Sequence, residues 1–421
     1  MTLVKNVCVS PLFHALASQA RAFCLSNEAD AAIVPSVTLT SDRTGSGPQP
    51  FAGTYSGKRV FVTGHTGFKG AWLCEWLLAL GAEVTGYSLP APTQPALSQE
   101  LSLHRRVKHL EGDVADLASL AEAIRAARPE FVFHLAAQAI VRESYRDPVR
   151  TFSTNVMGTV HTLEALRRLT TPCAAVFVTS DKCYENRNWV YGYREDDPLG
   201  GHDPYSASKG AAEVAIASMR RSFFKESAVS VASARAGNVI GGGDWAKDRI
   251  VPDCIRSLQA GQAILVRNRS ATRPWQHVLE ALSGYLWLGA CLSEPRLARC
   301  ARAMVQSAFN FGPSHDANRS VAELVVEVLK HWPGSWEDQS DPGAPKEASV
   351  LQLSTDKAHS LLGWAPVWGF AEAIGNTVEW YRKRAGDPEA VQSLTAAQIS
   401  QYVGQAARSG VPWALPASST P

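Results

Sequence analysis

Several things are scarce in this chain, and each scarcity removes a class of explanation. No apolar run reaches the roughly 18 residues that a membrane-spanning helix needs. Lysine and arginine (41) nearly balance aspartate and glutamate (39), the formal charge is only +2, and no long basic run occurs. That leaves no electrostatic footprint for nucleic acid or an anionic membrane surface, so any bound anion must be held by a local site. The eight cysteines (Cys8, Cys24, Cys74, Cys173, Cys183, Cys254, Cys291 and Cys300) form no CxxC pair and no regular framework. Neither a disulfide scaffold nor a metal site is expected from them, and reduced thiols favour the cytoplasm. The opening residues lack a charged leader with an apolar segment and cleavage site, although their Ala/Ser-rich, acid-poor character faintly resembles an organellar transit peptide. No internal repeat of solenoid period is present.

What remains is an ordinary globular composition, with 45% hydrophobic and 19% charged residues over 421 positions. That length suits one large core with a smaller second lobe. Residues 1–56 show no sustained period, and "TSDRTGSGPQP" reads as a linker, so this stretch is expected to lie outside the fold. From Gly57 strand and helix patterns alternate: "RVFVTG", a helix from about Gly67 to Leu80, "EVTGYS", then "FVFHLAA" and "AAVFVTS". Short apolar runs separated by helices predict an α/β, Rossmann-like doubly wound parallel sheet over 57–240. Helical segments such as "VLEALSGYLWLGACL" and "FAEAIGNTVEWYRKR", broken by "ILVRN" and "AFNFG", predict a smaller, mostly helical substrate lobe over 241–385. Residues 386–421 are expected to add one helix and a fraying Pro/Ser tail.

"TGHTGFKG" follows the first strand and opens the first helix, spacing Gly64, Gly67 and Gly70 as G-x-x-G-x-x-G. Glycine permits the tight turn and close backbone approach, and a helix N-terminus offers unpaired N–H groups to a pyrophosphate. The same spacing also serves a packing turn, but the strand-turn-helix context favours a dinucleotide, with Phe68 beside the glycines. Downstream, "EGDV" sets Asp113 and Val114 at a strand end suited to an adenine, and "HLAA" offers small Ala136 and Ala137 for the ribose to pass. The carboxylate that often ends the second strand of NAD sites is absent; Tyr87 and Ser88 stand there, so charge does not choose NAD over NADP.

Tyr205 and Lys209 are spaced i, i+4 in "PYSASKGAAE", where Pro204 can open a helix. An ammonium on the same face as the phenol is expected to lower the phenol's pKa, suiting it to take a proton from a hydroxyl as hydride leaves the adjoining carbon. TGxxGxxG, YxxxK and their order resemble the extended short-chain dehydrogenase/reductase family, over roughly Gly57 to Arg384. The resemblance implies NAD as cofactor, a nucleotide-sugar substrate, and Ser180, Tyr205 and Lys209 as the redox set. "TSDKCYEN", "GHTGFKGAW", "RAGNVIGGGDW" and "RPWQHVLE" look like the 4,6-dehydratases of that family, and CDP-glucose is the substrate they imply.

In such enzymes an acid and a base follow the serine or threonine. Asp181 is the candidate acid, and Lys182 occupies the position that relatives give to a glutamate base; as a plain strand-end ion pair the two would carry no chemistry. By the same resemblance Asn238 and Arg273 would contact diphosphate or sugar, His277 would be a nearby polar contact, Arg142 would face substrate, and Asn155 would steady the cofactor-side backbone. Arg267 and Arg269 accompany Arg273 and read equally as a solvated cluster. The aromatic segment 184–203, with Trp189, Tyr191 and Tyr193, is expected to cover the sugar or to pack. Dimerisation through the helix carrying Tyr205 and its neighbour is implied, giving a homodimer or dimer of dimers. The alternatives are a nucleotide-sugar 4-epimerase and a non-catalytic NAD- or nucleotide-sugar-binding protein.

Overall fold

The computed structural model describes residues 49–340 and 351–416. Seven strands, β1 (Arg59–Thr63), β2 (Glu83–Ser88), β3 (Lys108–Glu111), β4 (Phe131–His134), β5 (Cys173–Val178), β6 (Val229–Ala236) and β7 (Ala308–Phe311), make one sheet. Their order is β7-β6-β5-β4-β1-β2-β3 and every neighbouring pair is parallel. A parallel sheet needs both faces covered, and the period of two along each strand sends alternate side chains to opposite layers. Val60 and Val62 of β1 join the larger core, while Phe61 between them joins the second one. Helices α1 (Phe68–Ala79), α2 (Leu117–Ala127), α3 (Gly158–Arg167) and α4 (Pro204–Phe223) connect the strands. Leu120 and Ile124 of α2, Leu163 of α3 and Ile216 of α4 fill the second core. Strand order reverses between β1 and β4, which opens a crevice at the carboxyl ends of the strands where ligands bind in this architecture.

Two elements beyond residue 240 belong to the sheet layers rather than to the expected lobe. α5 (Val278–Ser293) is buried from Val278 to Leu292 and packs on β5 and β6, and β7 extends the same sheet. A Cβ at Gly284 would come within 2.3 Å of the Phe311 ring, so glycine lets α5 lie directly on β7. The reason is physical: a helix that is apolar all round belongs inside a layered core rather than on a half-exposed lobe.

The outer boundaries shift as well. Residues 1–48 lie outside the described residues, but Phe51 and Tyr55 are buried, so the packed fold begins within the predicted extension. At the other end α6 (Phe370–Gly386) and α7 (Val391–Arg408) are followed by a short turn, Pro412–Ala414, that is packed rather than frayed. Trp413 is fully buried, stacked on Phe51 (5.1 Å) and Tyr402 (5.7 Å). The two ends therefore close over α1 together, which explains why α1 is apolar around most of its circumference. Residues 417–421 of the expected tail lie outside the described residues. Among the described residues no helix is long and apolar enough to cross a membrane.

Candidate active site

At the crevice, β1 passes into α1 through the glycine turn. Gly64 has φ +75°, a conformation glycine adopts without strain, and a Cβ there would stand 2.8 Å from Ala136 Cα and N. At Gly70 a Cβ would stand 2.2 Å from the Gly64 carbonyl oxygen, so this residue lets the helix start against the turn. α1 begins after Gly67 with no side-chain cap and no acid in its first turn, and Phe68 is its first residue. Its N–H groups are thus left for an anion, and the cradle fits the pyrophosphate of a dinucleotide. Ala136 and Ala137 follow β4 beside this turn, and the Ala136 N–H donates to Thr63 Oγ1 (3.2 Å). Asp113 turns its Oδ1 to the Ala115 N–H (2.9 Å), and Val114 packs under Gly158. At the end of β2, where an acid was sought, Ser88 Oγ meets His65 Nδ1 (3.0 Å) and Thr66 Oγ1 (3.0 Å). Burial and the adjacent His109 push His65 down to about 4, so His65 is neutral near pH 7.

The residues expected to form the redox set meet between the end of β5 and the start of α4. Asp203 caps α4 by accepting from the Ser206 N–H (2.9 Å), which places Tyr205 and Lys209 on its first two turns. Ser180 caps the short turn Asp181–Cys183, shares a hydrogen bond with Tyr205, and donates from Oγ to Asp181 Oδ1 (2.8 Å). The expected lowering of the tyrosine is not found. Burial raises Tyr205 to about 12 despite the bond to Ser180, and burial also lowers Lys209, to about 8. Desolvation disfavours both charged forms and is the largest cause at each. Asn155 is buried behind them, donating to Gln138 O (3.0 Å) and Ser208 Oγ (2.8 Å), so it ties the loop after β4 to α4.

Asp181 is not a solvated strand-end group. Its side chain is 3% exposed, Lys182 Nζ stands 3.9 Å from its Oδ2, and that oxygen has no hydrogen-bond partner. Gly237 lies against it, with a Cβ position 3.3 Å from Oδ2, and the next residue, Asn238, has a buried Nδ2 that is equally unpaired. Two orphaned buried polar atoms flanking one glycine are expensive unless a ligand satisfies them. Pro274, beside Arg273, reaches the same glycine at 3.6 Å, while Arg273 itself donates to Thr272 O (2.8 Å).

The other predicted residues make these contacts. His277 is fully buried, edge-on to Trp72 (5.8 Å) and Trp368 (4.8 Å), and accepts from the Leu279 N–H to cap α5. Arg142 is exposed and paired with Asp248 (2.8 Å), which also receives Arg267 (3.4 Å); Arg269 pairs with Asp338 (3.2 Å). Tyr193 is buried between Tyr184 (5.2 Å) and Trp189 (5.3 Å), so it packs, whereas Tyr191 is half exposed.

The sequence reading missed Lys69, Tyr285, Arg249 and Asp244. Lys69 Nζ donates to Tyr285 OH (3.3 Å), and burial with the charges of Lys209 and Arg249 lowers it to about 8 while Asp181 opposes that. Arg249 pairs with buried Asp244 (2.8 Å). The one available signal was a lysine inside the glycine turn, a place where the backbone pattern alone drew the eye. Among the described residues no group of three or more His, Cys, Asp or Glu could hold a metal ion.

Comparison with known proteins agrees with this geometry. A family model described as GDP-mannose 4,6 dehydratase matches residues 61–377. A CDP-glucose 4,6-dehydratase of Salmonella typhimurium is 47% identical over 335 residues, covering 78% of this chain and 91% of that protein. A UDP-glucose 4-epimerase of Mycolicibacterium smegmatis is 27% identical, covering 78% and 99%. The solved structure of a Streptomyces venezuelae dTDP-glucose 4,6-dehydratase with NAD bound superposes with a TM-score of 0.65 at 23% identity, covering 79% of this chain and 99% of that one.

Proposed function

The chain belongs to the GDP-mannose 4,6 dehydratase family, within the extended short-chain dehydrogenases/reductases, and from that premise we propose that it is an NAD-dependent CDP-glucose 4,6-dehydratase. It would convert CDP-glucose to CDP-4-dehydro-6-deoxyglucose and water. The Gly64–Gly70 turn would hold NAD, which when bound would supply a two-electron acceptor for the hydride of sugar carbon 4 and a donor for carbon 6. Ser180 and Tyr205 hold the carbon 4 hydroxyl, and Tyr205 receives its proton with Lys209 behind it. The resulting ketone acidifies the hydrogen on carbon 5. Asp181 donates a proton to the departing carbon 6 hydroxyl, and Lys182 stands at the base position. Asn238 and Arg273 are assigned to the diphosphate end.

The observation that carries this reading is the unpaired, buried Oδ2 of Asp181 next to the Ser180–Tyr205 pair. A 4-epimerase uses the tyrosine and needs no buried acid for elimination, and a mere binding protein needs neither. Incubation with CDP-, dTDP-, GDP- and UDP-glucose tests it. The CDP sugar should yield the alkaline ultraviolet absorbance of a 4-keto-6-deoxy product most efficiently; epimerisation, or no turnover, would overturn the assignment.

A homodimer is part of the same reading, supported by exposed apolar side chains on α4 and its neighbourhood: Val149 (79% exposed), Met157, Val214 and Phe223. A cytoplasmic location is supported by six free cysteines among the described residues, five of them buried.

A further inference from the structure

Resting on the dehydratase reading, we propose that Glu213 is a positioning residue for the elimination step. Its carboxylate registers the Ser180–Asp181–Lys182 turn against the helix that carries Tyr205 and Lys209, and through Arg235 it extends that registration to the aromatic cover. Glu213 lies one turn beyond Lys209 on α4 and is 2% exposed. Its Oε1 accepts from the hydroxyl of Thr179, the residue immediately before Ser180. Its Oε2 accepts from Ser233 Oγ (2.8 Å) and Arg235 Nη2 (2.8 Å). Arg235 Nη1 then donates to Tyr184 OH (2.7 Å), at the start of the cover, and to Glu195 O (2.8 Å). Tyr184 donates onward to Asn310 Oδ1 (2.8 Å), and Asn310 Nδ2 holds Tyr193 O (2.9 Å).

This chain of bonds joins the elements whose relative placement the chemistry depends on. Tyr205 must address the oxygen on carbon 4 while Asp181 addresses the oxygen on carbon 6 of the same ring. A general acid works only within hydrogen-bond reach of its target. A misplacement of about 1 Å can cost about a hundredfold in rate. A buried ion pair can often be replaced by apolar side chains with little loss of stability, so stability alone is a weak reason for this one. The charge matters too. Lys209 is faced by Cys183 from the acid turn, by Lys69 from α1, by His134 from β4, and by Glu213 on its own helix. Of these, Glu213 and Cys183 favour its ammonium form.

The test compares Thr179→Val, Glu213→Gln and the double variant Glu213→Gln with Arg235→Met. Single-turnover traces with CDP-glucose follow nicotinamide reduction and ketone product separately, beside thermal melting and a pH profile. Thr179→Val removes only the link and should slow product formation about tenfold while nicotinamide reduction changes less than about threefold, so reduced nicotinamide accumulates. Glu213→Gln should move the alkaline limb of the rate to lower pH and lower the melting temperature. The double variant removes both charges and should recover the melting temperature without recovering product formation. If Thr179→Val and the double variant form product at the wild-type rate with an unmoved pH profile, Glu213 is structural and the proposal is overturned. A wild-type chain that never reduces nicotinamide with CDP-glucose overturns the dehydratase reading itself, and that control is read before any variant.

Discussion

Under the proposed roles, replacing Asp181 with asparagine should separate oxidation from elimination, because the two steps would use different parts of one small constellation. Asparagine keeps the side chain's shape and can still accept from Ser180 Oγ, now at 2.8 Å from Asp181 Oδ1, so Ser180 and Tyr205 stay placed for the carbon 4 hydroxyl. What disappears is the proton donor for the carbon 6 oxygen. Loss of a positioned general acid costs about 10²- to 10⁴-fold in rate, or about 3 to 5 kcal/mol on the barrier. The substitution also strips Lys182 of the carboxylate 3.9 Å away. That contact is worth about 4 kcal/mol gross at an effective dielectric of about 20. Solvent reaches the 28% exposed lysine side chain, so the net loss of stability should be about 1 kcal/mol. Stopped-flow absorbance of the nicotinamide, with quenched samples assayed for ketone product, reads both steps. The variant should reduce its nicotinamide on mixing with CDP-glucose and then stall, with product formation slowed at least about a hundredfold. Product at the wild-type rate, or equal loss of both steps, would refute the division of labour between Tyr205 and Asp181.

Other outcomes follow from single residues. Gly64→Ala places a Cβ 2.8 Å from the Ala136 backbone at φ +75°, so the fold should lose about 1 to 3 kcal/mol and NAD affinity should fall, measured by melting and by calorimetric titration. Lys209 is lowered to about 8; if its ammonium supports Tyr205, kcat should decline as pH rises through that value, and a rate flat to pH 10 would contradict the pairing. Burial pushes Glu280 up from 4.5 to about 7 beneath Trp368 and Tyr402. Folded chains then hold a proton that unfolded chains release, so this stabilisation is complete below about pH 4.5 and about 3 kcal/mol of it is lost as pH rises through 7. Glu280→Gln should flatten that slope in denaturant titrations across the window. Phe223→Glu together with Val149→Glu should shift sedimentation from dimer to monomer while leaving the melting temperature nearly unchanged.

The central sheet was legible because its strands are short runs of β-branched and aromatic residues set between turn signals, as in "RVFVTG" and "AAVFVTS", which became β1 and β5. The helix expected from about Gly67 to Leu80 is α1, Phe68–Ala79. β3 was visible only through Asp113 just beyond it, since "KHLE" is a mostly exposed edge strand with no apolar alternation. β7 and α5 were assigned to the wrong layer because periodicity tells how apolar a segment is, not which face it covers. The candidate site residues divide along the same line. Tyr205 and Lys209 announce themselves by their i, i+4 spacing and Ser180 through the family resemblance, whereas Lys69 and Tyr285 lie 216 positions apart and meet only when α5 returns to the sheet. Nor could spacing reveal that burial raises Tyr205, because that depends on how completely α4 is covered.

The most direct test of the central claim is the fate of the carbon 4 hydrogen. With CDP-glucose deuterated at carbon 4 and the wild-type chain loaded with NAD, the account predicts that the label reappears on carbon 6 of the deoxy ketone in the same molecule, with none released to water. Label retained at carbon 4, or washed out into solvent, would contradict it.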